Sequence, residues 1–263
     1  MKPLAIRLAR GTFTIRLWPT LIALVMMAVM IGLGYWQIQR LHWKENLIAE
    51  MQERMQEPSI DLDLSSIAAE DMPNMEYRPA RATGLLQNTH ELFLTSISKK
   101  GEGGYHVLTP MQLDDGRMLL IDRGWVPYTG KDPATRDKSQ FAKPVTISGI
   151  LRLAHKSHWP QPDNKPEKGE WYRYDIEAMA QAAGAAALLP YVLEADDTPN
   201  PDRWPIGGQT RIDLPNDHFG YALTWFGLAF VLLVIYGVFS WQKPVKTATK
   251  DSAVKTEAVP ESD

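Results

Sequence analysis

Two uncharged apolar runs lie near the two ends of the chain and divide it into three parts. Between Arg16 and Arg40 nothing charged interrupts a stretch dominated by Leu, Ile, Val, Met and Ala, and the same is true from Phe219 to Trp241. About 20 such residues suffice to cross a bilayer as a helix, so residues 17–38 and 218–241 are predicted transmembrane helices. The first run ends in Gly34-Tyr35-Trp36-Gln37 with no small-residue cleavage site, so it reads as a retained anchor and not a signal peptide.

Between the runs the pattern changes. Residues 41–57 are rich in Glu, Gln, Met and Leu and contain neither Gly nor Pro, so the first helix is expected to continue until Pro58 stops it. Residues 61–74 read as a connector with a short helix. Apolar alternation then predicts strands at 77–84, placed at a sheet edge by Pro79, and at 90–95. Residues 105–113 and 117–126 flank Asp114-Asp115-Gly116 and form the clearest hairpin signal. Further strands are expected at 145–153 and 190–195. A helix over 175–183 has Asp175 at its capping position and Gly184 at its stop. The fold class that follows is two transmembrane helices flanking an α+β, mainly antiparallel β, open-barrel-like domain at residues 39–217.

Charge orients this arrangement. Lys2, Arg7, Arg10 and Arg16 precede the first run, and Lys243, Lys246, Lys250 and Lys255 follow the second, while the inner flanks carry fewer cations. The positive-inside rule puts both termini in the cytoplasm, with residues 1–16 as a short N-terminus and 242–263 as a disordered tail. The central domain then lies in the periplasm of a bacterial inner membrane protein, or in the intermembrane space for a mitochondrial relative. A net charge of -3 without a basic block argues against nucleic acid as a partner and leaves membrane lipid as the expected surroundings. With no cysteine, disulfides, thiolate copper transfer and thiol nucleophiles are excluded. No Gly-x-Ser-x-Gly or His-Glu-x-x-His pattern is present, so no enzyme is expected. The methionines cluster in the first run and its extension without the partners of a soft-metal site.

The candidate chemistry sits at the outer ends of the helices. His218 opens the second run with Asn216 or Asp217 available as a cap, and the helix dipole there favours the neutral imidazole that can ligate iron. At helical spacing His218, Ala222, Trp225 and Ala229 share a face, so a flat macrocycle could lie on small residues beside an indole. An interfacial histidine bonded to headgroups or backbone, with Trp225 and Tyr221 as an aromatic belt, is the other reading. On the first helix Trp36, Arg40 and Trp43 share a face, where Arg40 either pairs with a carboxylate such as a haem propionate or snorkels to the interface. His42 is a further candidate second axial ligand.

Elsewhere the signals are structural. His155 and His158 fall in a proline-bearing loop without a third ligand, and His90 and His106 lie on expected strands as packing or surface residues. Arg123-Gly124-Trp125-Val126-Pro127 reads as a core tryptophan with a glycine relieving a close approach, or else as an edge that touches a partner. Gly207-Gly208-Gln209-Thr210-Arg211 reads as a flexible entry to the second span.

Four segments in order carry a resemblance: Gly34-Tyr35-Trp36-Gln37-Ile38-Gln39-Arg40-Leu41-His42-Trp43-Lys44, Arg123-Gly124-Trp125-Val126-Pro127, Gly207-Gly208-Gln209-Thr210-Arg211, and Asn216-Asp217-His218-Phe219-Gly220-Tyr221-Ala222-Leu223-Thr224-Trp225-Phe226-Gly227-Leu228. The chain resembles the surfeit-locus-one proteins, assembly factors of cytochrome c oxidase, across both helices and the domain between. The resemblance implies an assembly factor in respiratory-chain biogenesis that binds haem a as cargo and aids its insertion into oxidase subunit I. It also implies His218 as the axial iron ligand and haem a synthase as a further candidate partner. The alternative it leaves open is a scaffold that binds no haem and stabilises an early subunit I intermediate. Within the family motif, His42 is a departure particular to this chain.

Overall fold

The computed structural model describes residues 4–8, 11–62, 67, 70–154, 162–210 and 215–242, so His155, His158, Arg211 and the tail beyond Gln242 lie outside the described residues. In chain order the elements are β1 (Leu4–Leu8), β2 (Gly11–Ile15), α1 (Leu17–Met55), β3 (Ile60–Asp61), α2 (Met72–Met75), β4 (Pro79–Leu86), β5 (Leu92–Ile97), β6 (Gly103–Leu113), β7 (Met118–Pro127), β8 (Val145–Leu153), α3 (Ile176–Ala182), β9 (Tyr191–Ala195), α4 (His218–Ser240) and β10 (Trp241–Gln242). They fall into two units, residues 1–43 with 216–263, and residues 44–215.

The first unit is built on the two apolar runs. α1 has 39 residues, about 58 Å at 1.5 Å per residue, roughly twice a bilayer's hydrocarbon core. It ends just short of Pro58, where the composition places its stop. α4 covers the second run, and both helices are long and apolar enough to cross a membrane. Their large apolar side chains, among them Trp18, Leu24, Phe230 and Val238, are exposed, as lipid-facing helices require. The small residues are the buried ones: Ala23 and Gly34 on α1, Ala222 and Ala229 on α4. A Cβ added to Gly34 would come within 2.7 Å of the Phe226 ring, so this glycine lets the two helices approach. The Thr20 and Tyr236 hydroxyls also bond across the pair. The N-terminal segment, expected as a plain cytoplasmic end, forms a hairpin, and β10 extends it to the three-stranded order β1-β2-β10.

The second unit is a ring of strands. Its sheet runs β3-β4-β8-β9-β7-β6-β5, and an added pairing of β4 with β6, Gly84↔Leu113 to Leu86↔Met111, closes five strands on themselves. β3–β4 and β7–β9 are parallel and the other pairs antiparallel. Alternation along β7 explains why both of its faces are apolar. Leu119 and Ile121 join Met111, Leu151 and Leu193 in one core, while Leu120 joins Leu108, Trp171, Met179 and Val192 in a second core that packs beside α3.

Local signals hold in detail. The β6–β7 turn uses Gly116 at φ +86°, and β8 occupies residues 145–153. Asp175 caps α3 by accepting from the Ala178 N–H, and Gly184 follows at φ +66°. One expectation fails: the proline strand is not an edge. β4 pairs with β8 from Pro79 to Gly84, with β3 at Ala80 and Arg81, and with β6 from Gly84 to Leu86. Pro79 is tolerated because it is the strand's first residue, where a missing N–H costs the ladder little.

Candidate functional site

In the helix pair, His218 is the first residue of α4, and Asp217 holds the cap position without a side-chain bond to the helix. The expected side-chain cap is therefore absent. Instead, His218 Nδ1 lies 2.6 Å from Gln37 Oε1 on α1. An amide oxygen only accepts, so Nδ1 carries the proton and donates, and in the neutral ring Nε2 is then the nitrogen with a lone pair to offer a metal. A second-shell acceptor on the far nitrogen is the usual way a ligating histidine is oriented. Gln37 was not singled out in the sequence. Its signal was an uncharged polar residue near the outer end of a predicted span, a place where such residues are costly unless partnered.

Around this pair the structure places the other candidates on the same two helices. Arg40 is one turn beyond Gln37, its guanidinium stacked 3.9 Å from the centre of the Trp43 ring, with no ion pair among the described residues. Trp36 and Trp43 are exposed and Trp225 is half-buried, two turns along α4 from His218. Ala222 and Ala229, read as open ground for a flat ring, are buried at 2% and 7% exposure. His42 is exposed and lies five residues from Gln37, about 140° around the helix, so the side chain brought to His218 is Gln37 and not His42. Among the described residues no three His, Cys, Asp or Glu side chains cluster as a metal site. The helix pair thus offers a single imidazole with an oriented ring, and on α1, one turn beyond its partner Gln37, an arginine stacked on Trp43.

The strand ring has a polar centre of its own. His106 Nδ1 is 2.6 Å from Asp122 Oδ2, the Tyr174 hydroxyl lies 2.7 Å from the same oxygen and 3.0 Å from Glu194 Oε1, and Thr210 donates to Glu194 Oε2 at 2.6 Å. Arg152 reaches Glu194 and Glu76 at 3.5 and 3.4 Å. Burial pushes the Asp122 carboxyl up, but His106, with bonds from Tyr174 and Gly124, brings it below its ordinary value. Glu194 goes the other way: burial raises it and Arg152 only partly opposes. His106, expected as a packing or surface residue, is thus bonded to a buried carboxylate. Every member of this network serves another member, so its role is to fix the strands and the segment at Thr210.

That segment is not a flexible entry. Trp125 and Ile206 exchange both backbone hydrogen bonds at 2.8 Å, Gly208 N–H donates to the Ala195 carbonyl at 2.8 Å, and Trp204 packs on Trp125 with ring centres 5.7 Å apart. The two glycines exist for this packing, since a Cβ on Gly207 would collide with the Asp196 carbonyl and one on Gly208 would press on Asp197. Trp125, 2% exposed, is the core tryptophan its motif suggested.

Comparison with known proteins identifies relatives across most of this length. A family model described as the SURF1 family matches residues 24–230. The chain is 37% identical over 220 residues to Surfeit locus protein 1 of Mus musculus, covering 78% of this chain and 70% of that one. It is 35% identical to Surfeit locus protein 1 of Homo sapiens, covering 75% and 69%. To a SURF1-like protein of Monosiga brevicollis it is 32% identical, covering 79% and 82%.

Proposed function

This chain belongs to the SURF1 family, and on that premise we propose that it is an assembly factor for cytochrome c oxidase that holds haem a at His218 and hands it to oxidase subunit I. The observation that carries the haem reading is the 2.6 Å contact of His218 Nδ1 with Gln37 Oε1, which orients the ring and leaves Nε2 as the iron-binding nitrogen. Arg40 holds a propionate, and Trp36 and Trp225 give the ring apolar sides. Haem is cargo here; no reaction is catalysed on it. Handover is a competition of affinities, in which subunit I gains the haem because its own axial ligands bind more tightly than one imidazole.

The flanking cations support an inner-membrane protein with both termini cytoplasmic and the domain at residues 39–217 in the periplasm. The haem site then opens at the outer leaflet, where haem a synthase is a further partner for loading.

A second reading has an observation of its own. Gly34 sits against Phe226 and the alanine face of α4 is covered, as in a closed helix pair that acts as a docking surface for subunit I without cargo. Purification of the full-length protein from cells that make haem a separates the two. The carrier shows a haem a spectrum that His218→Ala abolishes, together with oxidase activity. A haem-free wild type, with His218→Ala still supporting oxidase assembly, establishes the scaffold.

A further inference from the structure

At one rim of the strand ring, β8 outlasts its neighbour. β8 and β9 pair from Leu153↔Tyr191 to Gly149↔Ala195, and one further bond, from the Asp196 N–H to the Ser148 carbonyl, ends the ladder at 2.9 Å. In an antiparallel ladder the N–H and C=O of every second residue point to the same side. Ser148 faces β9, so Thr146, two residues back, presents its N–H and C=O on that side too, where no strand pairs with it among the described residues. The opposite side fixes the same phase: Thr83 and Thr146 stand across from each other with their hydroxyls 2.9 Å apart, the close approach of a pair that exchanges no backbone bonds.

This open edge lines a cleft of about 140 Å³ with Phe141, Pro199 and Arg123. Arg123 is 2% exposed and Arg136 is fully buried, yet both rely on one carboxylate. Arg136 takes both oxygens of Glu91, at 2.8 and 2.6 Å, and Arg123 reaches the nearer one at 3.3 Å while also donating to the Ser139 carbonyl. These three buried charges alone sum to one positive charge. Burial, followed by the Glu91 and Arg136 charges acting in opposite senses, brings the Arg123 guanidinium down to about 10. Asp196, on the same wall, directs Oδ1 at the Thr198 N–H at 3.0 Å. An anion entering the cleft supplies the countercharge that Glu91 cannot give twice.

We infer that this cleft takes the C-terminal end of an extended peptide, its backbone pairing with the β8 edge at Thr146 and its carboxylate held by Arg123. A strand edge with a donor and an acceptor matches a peptide backbone, which a small free acid lacks, and a guanidinium lining the same cleft matches a terminal carboxylate. Phe141 gives the last side chain an apolar wall. The inference concerns the extramembrane unit alone and stands whether or not His218 carries haem.

The test uses the full-length protein in detergent and fluorescence anisotropy with a fluorescein-labelled hexapeptide of alternating threonine and valine, as the free acid and as the C-terminal amide. The free acid is expected to bind about tenfold more tightly than the amide, the worth of one charge-assisted contact. Thr146→Pro deletes the N–H that faces the cleft and is expected to weaken the free acid by about fivefold or more, whereas Thr146→Val, which removes only the hydroxyl that meets Thr83, is expected to bind it like the native protein. The acid-to-amide comparison is made on the native protein, so it decides the matter even if the proline variant folds poorly. Equal affinities of acid and amide, or no binding of either at millimolar peptide, overturn the proposal. Displacement of the peptide by sodium acetate at equal concentration also overturns it, because the cleft is then a site for free acids.

Discussion

Gly124 and Ile206 meet backbone to backbone: Gly124 stands at φ +112°, and a Cβ there would collide with the Ile206 carbonyl. Only glycine fits both the conformation and the gap. The neighbouring Trp125–Ile206 bond pair depends on that approach, so Gly124→Ala is expected to cost about 2 kcal/mol or more. In detergent this appears as a fall of several degrees in the unfolding midpoint of the full-length protein. A midpoint within a degree of the parent's would contradict the account.

Glu91 is 3% exposed at its side chain and answers two buried arginines. Glu91→Gln keeps the shape and removes the charge, leaving Arg123 and Arg136 facing each other without an anion. Removing one partner of a buried ion pair typically costs about 3–5 kcal/mol. Denaturant unfolding should show that loss, whereas Asp115→Asn, at an exposed pair in the β6–β7 turn, should change stability by less than about 1 kcal/mol.

How much of this was legible in the sequence depends on the range of the interaction. The spans were, because a lipid solvent leaves no alternative to an apolar helix. β8 and the β6–β7 hairpin were, because alternation and Asp115-Gly116 are local. Ring closure was not: it rests on β4 meeting β6 at Gly84↔Leu113, and Gly84 read only as the end of a strand. Nor was the Glu91 cluster, whose members come from separate loops and strands; Arg136 in a polar stretch looks like a solvated charge. At the helix pair His218, Arg40, Trp36 and Trp225 were visible as chemistry-bearing types, but the sequence could not give the partner that orients the imidazole.

The buried carboxylates predict opposite responses to pH. Asp122 has a folded value below its unfolded 3.8, so its contribution is present above about 3.8 and is lost as pH falls through the lower folded value. Glu194 has a folded value above its unfolded 4.5, so its contribution is complete below 4.5 and is lost as pH rises through the folded value. Stability against pH should therefore fall on both sides of a weakly acidic maximum. Asp122→Asn is expected to flatten the acid side and Glu194→Gln the other, whatever either does to the absolute level. Urea midpoints across pH 3 to 8 check this, and a variant that leaves its own side of the curve unchanged would show that its carboxylate does not act as described.

Gln37 gives the sharpest test of the haem reading, because it touches His218 and would not itself touch iron. Gln37→Leu removes the acceptor from Nδ1 and frees the ring to turn. Loss of such a second-shell partner costs about 10- to 100-fold in metal affinity, so haem a titrated into the detergent-purified variant should bind weaker by that factor. Gln37→Glu keeps an acceptor and adds negative charge, which makes the imidazole a stronger donor and should lower the reduction potential of the bound haem relative to wild type. The pair of variants separates ligand orientation from packing, since a purely structural residue would not move the potential in one and the affinity in the other. Wild-type affinity in Gln37→Leu would mean that His218 does not hold iron through the nitrogen this contact leaves open.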